Sequence, residues 1–160
     1  TGNVRASDEE RGIRIESAEL FFDREEEVLH AEGDAVLEDI ENELVVRGGV
    51  LESRQQEELT IAQIQVRIFG DELTARGEYA RYRRDDQVLE LSGLPVVFWQ
   101  GDEYRASRII VNTETEEISL EGDVRGSITP ADDEEPAADG EPADGEPADE
   151  EAADQEAGDE

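Results

Sequence analysis

Few residues in this chain are equipped for bond-making chemistry. His30 is the only histidine, and neither Ser nor Asp stands at a spacing from it that suggests a catalytic triad. There is no cysteine, which removes disulfides, zinc–thiolate centres and thiol nucleophiles. Carboxylates are abundant, yet runs such as Glu25-Glu26-Glu27 and Asp85-Asp86 lack the spacing of a calcium loop and read better as solvated turns. Trp99, Tyr79, Tyr82 and Tyr104 carry rings that stack on ligands, although strands favour aromatic residues anyway. What remains is non-covalent. Apolar side chains at alternate positions can line a wall for an apolar ligand, at about 25 cal/mol per Å² buried. The expectation is a binding or structural protein rather than an enzyme, with no cofactor and no metal.

The elements that must position this wall repeat along the chain. Asp23, Ser53, Arg83 and Asn112 stand 30, 30 and 29 residues apart, and each opens a polar loop. Six residues after each anchor lie Leu29, Leu59, Leu89 and Ile118; eight after lie Ala31, Ile61, Leu91 and Leu120. Ten after come Gly33, Gln63, Gly93 and Gly122. Three before are Leu20, Val50, Ala80 and Ile109, and one before are Phe22, Glu52, Tyr82 and Val111, with Glu52 the single polar exception. Period two on both sides of a short polar loop is the pattern of half-buried strands joined in hairpins. A helix would space its apolar residues three and four apart. The sequence thus predicts a repetitive, antiparallel all-β body in which stacked units bury a face that no single unit can bury. His30 aligns with Thr60, Glu90 and Ser119, which points it to solvent.

Two domains are expected: the β body over 1–129 and an acidic tail over 130–160. The tail holds 15 acidic residues, no basic ones and no apolar side chain larger than Ala, with Asp-Gly-Glu-Pro-Ala repeated from Asp139. Such a segment cannot offset its ordering entropy and is expected to be disordered. The body keeps 31 acidic residues against 14 arginines, a charge near −17, and the chain has no lysine. Phosphate-rich nucleic acid is therefore not an expected partner. An acidic body also suits a high-salt habitat. No apolar run is long enough to span a membrane. The chain begins at Thr1, and Gly2-Asn3-Val4-Arg5 echoes Gly122-Asp123-Val124-Arg125, so it starts inside a repeat. That start fits either a protein longer at its N-terminus, with a targeting segment cut away, or a first unit that is a partial cap.

Several segments resemble the LptA/OstA family of lipopolysaccharide-transport proteins. Ile13-Arg14-Ile15-Glu16-Ser17 is similar to the Ile-x-Ile-x-Ser/Ala segment that opens OstA-type domains. His30–Val36 and Ser119–Val124 resemble its recurrent Gly-Asn/Asp-Val strand, and Gly93–Gln100 its Gly-x-Pro-x-x-Phe-x-Gln segment. Ala106–Val111 then leads into another hairpin, as in the family. The resemblance covers about 13–128. It implies an OstA-like β-jelly roll with an open groove, periplasmic, that binds lipopolysaccharide or a related lipid by its acyl chains. It also implies partnership with other Lpt-type proteins and with itself by end-to-end strand pairing. The body is shorter than is usual in the family, lacks an evident final repeat after Gly122, and carries a tail foreign to the pattern.

The candidate lipid wall is Phe22, Leu29, Ala31, Leu59, Ile61, Leu89, Leu91, Phe98, Ile118 and Leu120. These residues could equally be the core where two sheets meet. A structural β-solenoid that assembles through its edges without a lipid is the competing reading.

Overall fold

The structure is a computed structural model and describes residues 3–127; the expected acidic tail lies outside the described residues. Among the described residues every regular element is a β-strand, and all pairings are antiparallel. The strands are β1 (Val4–Asp8), β2 (Ile13–Ser17), β3 (Glu19–Asp23), β4 (Val28–Asp39), β5 (Leu44–Arg54), β6 (Leu59–Phe69) and β7 (Leu73–Arg83). They continue as β8 (Val88–Ser92), β9 (Val96–Trp99), β10 (Asp102–Arg105), β11 (Arg108–Asn112), β12 (Glu117–Glu121) and β13 (Arg125–Ser127). They form one 13-stranded sheet that does not close: the antiparallel all-β body that the repeat predicts, in the β-jelly-roll form that the resemblance implies.

A line of irregular backbone folds this sheet into two layers. The register shifts between Glu32 and Ala35 in β4, between Arg47 and Val50 in β5, and between Gln63 and Val66 in β6. On one side of the line, β3, the first half of β4, the second of β5, the first of β6 and the second of β7 pair in turn, followed by β8, β11 and β12. We call this the first layer. On the other side, β1, β2, the remaining halves of β4–β7, β9, β10 and β13 form the second. Four strands thus pass through both layers, and the bend between them is covalent.

Glycine makes most of these bends possible. Gly33, Gly93 and Gly122 have φ of 82°, 74° and 70°, and a Cβ on them would lie 2.7, 2.6 and 2.8 Å from Ala18, Glu78 and Ser107. The close approach leaves no room for a side chain there, and the left-handed region favours glycine. In the second repeat the same place is held by Ile64, at φ 68°. Its opposing residue is Gly49, where a Cβ would meet the Ile64 Cβ at 3.0 Å. One side chain fits at this crossing; three repeats put it on one strand and the second puts it on the other.

Four-residue hairpins lie on the far side of each layer. Residues 24–27, 55–58, 84–87 and 113–116 close the first layer, and 9–12 and 40–43 the second. Each ends on a residue with positive φ: Glu27, Glu58, Gln87, Glu116, Gly12 and Glu43. Asp23 and Asn112 Oδ1 accept two backbone N–H bonds each from the residues two and three further on, which fixes the turn. Between β9 and β10 the two-residue loop Gln100-Gly101 has φ of 51° and 87°, the type I′ geometry that matches strand twist.

The register corrects one sequence expectation. Asp23 pairs with Val28, Arg83 with Val88 and Asn112 with Glu117, but in the second repeat the residue opening the hairpin is Arg54, paired with Leu59. Ser53 is therefore one place early as an anchor. A slip of one residue exchanges the two faces of a strand. It moves Thr60 and Ala62, rather than Leu59 and Ile61, onto the inner face.

Candidate functional site: an apolar interior and its polar clasp

The inner face of the first layer is built from two cross-strand rows. One runs Leu20, Ala31, Leu51, Ala62, Ala80, Leu91, Ile109, Leu120, and the central six are all at most 1 % exposed. The other runs Phe22, Leu29, Ser53, Thr60, Tyr82, Leu89, Val111, Ile118. Facing them, the second layer contributes Ile15, Leu37, Val46, Ile68, Ala75 and Val97, and all join one continuous apolar cluster.

Six of the ten residues expected to line the wall come together here: Leu29, Ala31, Leu89, Leu91, Ile118 and Leu120. Phe22 ends its row on edge strand β3 and is 40 % exposed. Three others lie elsewhere. Ile61 pairs with Glu52 and Arg81 on the outer face of the first layer. Leu59 is buried but stands in the alternate row with Arg54 and Arg83, outside the core cluster. Phe98, 43 % exposed, lies on the outer face of the second layer while its neighbours Val97 and Trp99 point inward. The anchor rule could not see the second layer, whose inward residues sit too far from the loops it aligned. Their signal was the period-two runs Leu44/Val46, Val66/Ile68, Leu73/Ala75 and Val97/Trp99.

The strands must hold this wall dry, and they do so at the bend by covalent continuity. At the hairpin side the layers are instead joined by polar side chains. Asp39, at the end of β4, is 1 % exposed. Its carboxylate accepts from the Tyr82 hydroxyl at 3.2 Å, Arg84 Nε at 3.1 Å and Asn42 Nδ2 at 2.7 Å, with the Asn42 backbone N–H at 3.2 Å. Arg84 also donates to the Arg11 carbonyl and, at 2.5 Å, to the Glu41 carboxylate. One guanidinium of the first layer thus holds two hairpins of the second. Burial, and then the neighbouring Asp39 carboxylate, raise the Tyr82 phenol pKa above its ordinary value, so it stays a donor. No buried side-chain nitrogen or oxygen among the described residues lacks a partner.

On either side of this clasp the interior opens slightly. One recess of about 80 Å³ is lined by Ala6, Ile13, Ile15, Leu29, Ser53 and Thr60, with Arg84 at its wall. Another of about 210 Å³ lies against Leu44, Leu73, Tyr82 and Trp99. Both are smaller than typical small-molecule sites of about 300–1,000 Å³. The layers end on edge strands, β1 and β3 at one end and β12 and β13 at the other, each with one edge that no strand pairs among the described residues.

His30 lies on the outer face, stacked on Phe21 with ring centroids 6.4 Å apart and with Nδ1 3.6 Å from Glu52. Its counterpart in the second repeat is Ile61 rather than Thr60, by the same one-residue slip. No cluster of three or more His, Asp or Glu able to hold a metal ion occurs among the described residues. No helix there is long and apolar enough to cross a membrane.

The chain is similar in structure to LptH of Pseudomonas aeruginosa, the LptA-homologous periplasmic component of the lipopolysaccharide transport device. The match has a TM-score of 0.70 at 16 % identity and covers 78 % of this chain and 100 % of that one. No family model matches the chain, and no curated protein matches it. The fold is LptA-like.

Proposed function

We propose that this protein binds lipopolysaccharide or a related lipid non-enzymatically and passes it across the periplasm from the inner to the outer membrane. The observation that carries the reading is the continuous apolar interior, walled by both layers and bordered at each end by strands with one edge unpaired among the described residues. LptH, a transport component, has the same fold at full coverage. The acyl chains would lie between the layers against Leu29, Ala31, Leu89, Leu91, Ile118 and Leu120. Edge strands β1, β3, β12 and β13 would pair with further Lpt-type proteins or further copies of this chain, since an unpaired strand edge is a template for β-addition.

In the present state the interior is closed. Its rows are packed, and neither recess takes an acyl chain. Lipid entry then requires the layers to part on the hairpin side, where only side chains join them. Packing this tight also favours the second reading, a structural β-solenoid without a lipid. Mass spectrometry of lipid extracted from the natively purified chain separates the two. The transport reading expects acylated glycolipid in amounts comparable to the protein; protein free of lipid, made in cells that contain lipopolysaccharide, supports the solenoid.

A further inference from the structure

We propose that the outer face of the second layer is a docking surface for the phosphate-bearing headgroups of an anionic lipid bilayer. At its centre Arg47, Arg67 and Arg76 are direct cross-strand neighbours on β5, β6 and β7, and all three are exposed. Like charges placed opposite one another destabilise a sheet. Yet in a chain with 46 acidic residues, no ion pair among the described residues engages these three. Eight of the other arginines are paired. On this face Glu16, Glu38 and Glu103 pair with Arg5, Arg14 and Arg105. Asp34 and Glu78 line the same recesses as the three arginines without forming an ion pair with them. Three adjacent positive charges are thus left without an ion-pair partner among the described residues.

The next row of this face is apolar. Val45, Phe69, Thr74 and Phe98 follow one another across the strands, with Phe69 40 % and Phe98 43 % exposed. Arg47 lies over the Phe69 ring at 5.9 Å. A soluble phosphate would use the arginines and leave the rings in water. A bilayer surface uses both, with guanidinium groups on phosphates and rings among the upper acyl segments. The chain's net charge of −32 opposes approach from afar. At physiological salt the screening length is about 8 Å, so the arginine row acts locally. The surface is separate from the interior, and its test needs no lipopolysaccharide.

The test is flotation of the full chain with vesicles of phosphatidylcholine alone or mixed with phosphatidylglycerol, at physiological salt. Binding to the mixed vesicles only is expected, weakened about fivefold by each of Arg67→Gln and Arg76→Gln and lost at about 1 M salt. Phe69→Ser and Phe98→Ser together should weaken it while preserving the salt dependence. Circular dichroism should show all variants folded, since Arg67 and Arg76 form no ion pair and Phe69 and Phe98 are 40 % and 43 % exposed. Three outcomes would each overturn the proposal: no flotation with anionic vesicles, equal flotation with neutral ones, or full retention by a chain carrying both Arg67→Gln and Arg76→Gln. So would competition by soluble polyphosphate or polyglutamate at micromolar levels, which would reassign the face to a dissolved polyanion or an acidic protein.

Discussion

The two long sides of the interior are made differently. At the bend, β4–β7 pass from one layer to the other, and a single side chain fills each crossing: Ala18 against Gly33, Ile64 against Gly49, Glu78 against Gly93, Ser107 against Gly122. At the hairpin side the layers meet through Asp39, Tyr82 and Arg84. Backbone geometry fixes the first side; removable hydrogen bonds and the two ion pairs of Arg84, to Asp39 and Glu41, fix the second. Under the proposed lipid-binding role the interior would have to open, and it would do so on the hairpin side, with the bend as hinge and the polar clasp as latch.

Perturbations should separate the sides by size and by kind. The largest effect belongs to the wall that both sides enclose. Leu91→Asp places a carboxylate where no water or partner reaches, at a cost above about 4 kcal/mol, and should prevent folding as judged by circular dichroism. Ile61→Asp, two strands away on the outer face, should cost less than about 1 kcal/mol. At the latch, Arg84→Ala leaves a buried Asp39 carboxylate without its cation and should cost about 3–5 kcal/mol in urea unfolding. If the latch governs entry, the same variant, where folded, should take up a fluorescent acyl probe faster than wild type.

A further effect at the latch is one of pH. The Tyr82 phenol is held neutral in the folded chain, whereas the unfolded chain ionises near pH 10. Stability fully present below about pH 10 should therefore be lost as pH rises beyond it. Tyr82→Phe should remove that alkaline loss, visible as a flatter thermal midpoint between about pH 9 and 11. The smallest effect belongs to the hinge. Ile64→Gly relieves a β-branched residue in the left-handed region and should raise stability by about 0.5–1 kcal/mol, while Ile64→Val should not. A loss on Ile64→Gly would mean the side chain contributes packing that outweighs its backbone strain.

Much of this architecture was legible in the residues. Alternation around Asp23, Arg83 and Asn112 announced strands and hairpins, and Gly33, Gly93 and Gly122 marked the bends. The second repeat reads one place early in the sequence because its bend carries Ile64 in place of glycine, so the landmark that sets the register elsewhere is missing there. Glu52 as a polar residue in an apolar column was the visible sign of that error. With Arg54 as anchor the column reads Phe22, Ser53, Tyr82, Val111, all inward. The clasp was not legible. Asp39 looks like any acidic turn residue until the fold brings Tyr82 and Arg84 to it from 43 and 45 positions away. The arginine row was equally hidden, because Arg47, Arg67 and Arg76 become neighbours only through the strand register.

The most direct test of the central reading is titration of the intact, folded chain with purified lipopolysaccharide. The account predicts saturable binding that an acyl-chain competitor displaces and that Leu29→Asp, where folded, abolishes while Ile61→Asp spares. Absence of saturable binding by the wild type, with its fold verified in the same sample, would contradict it.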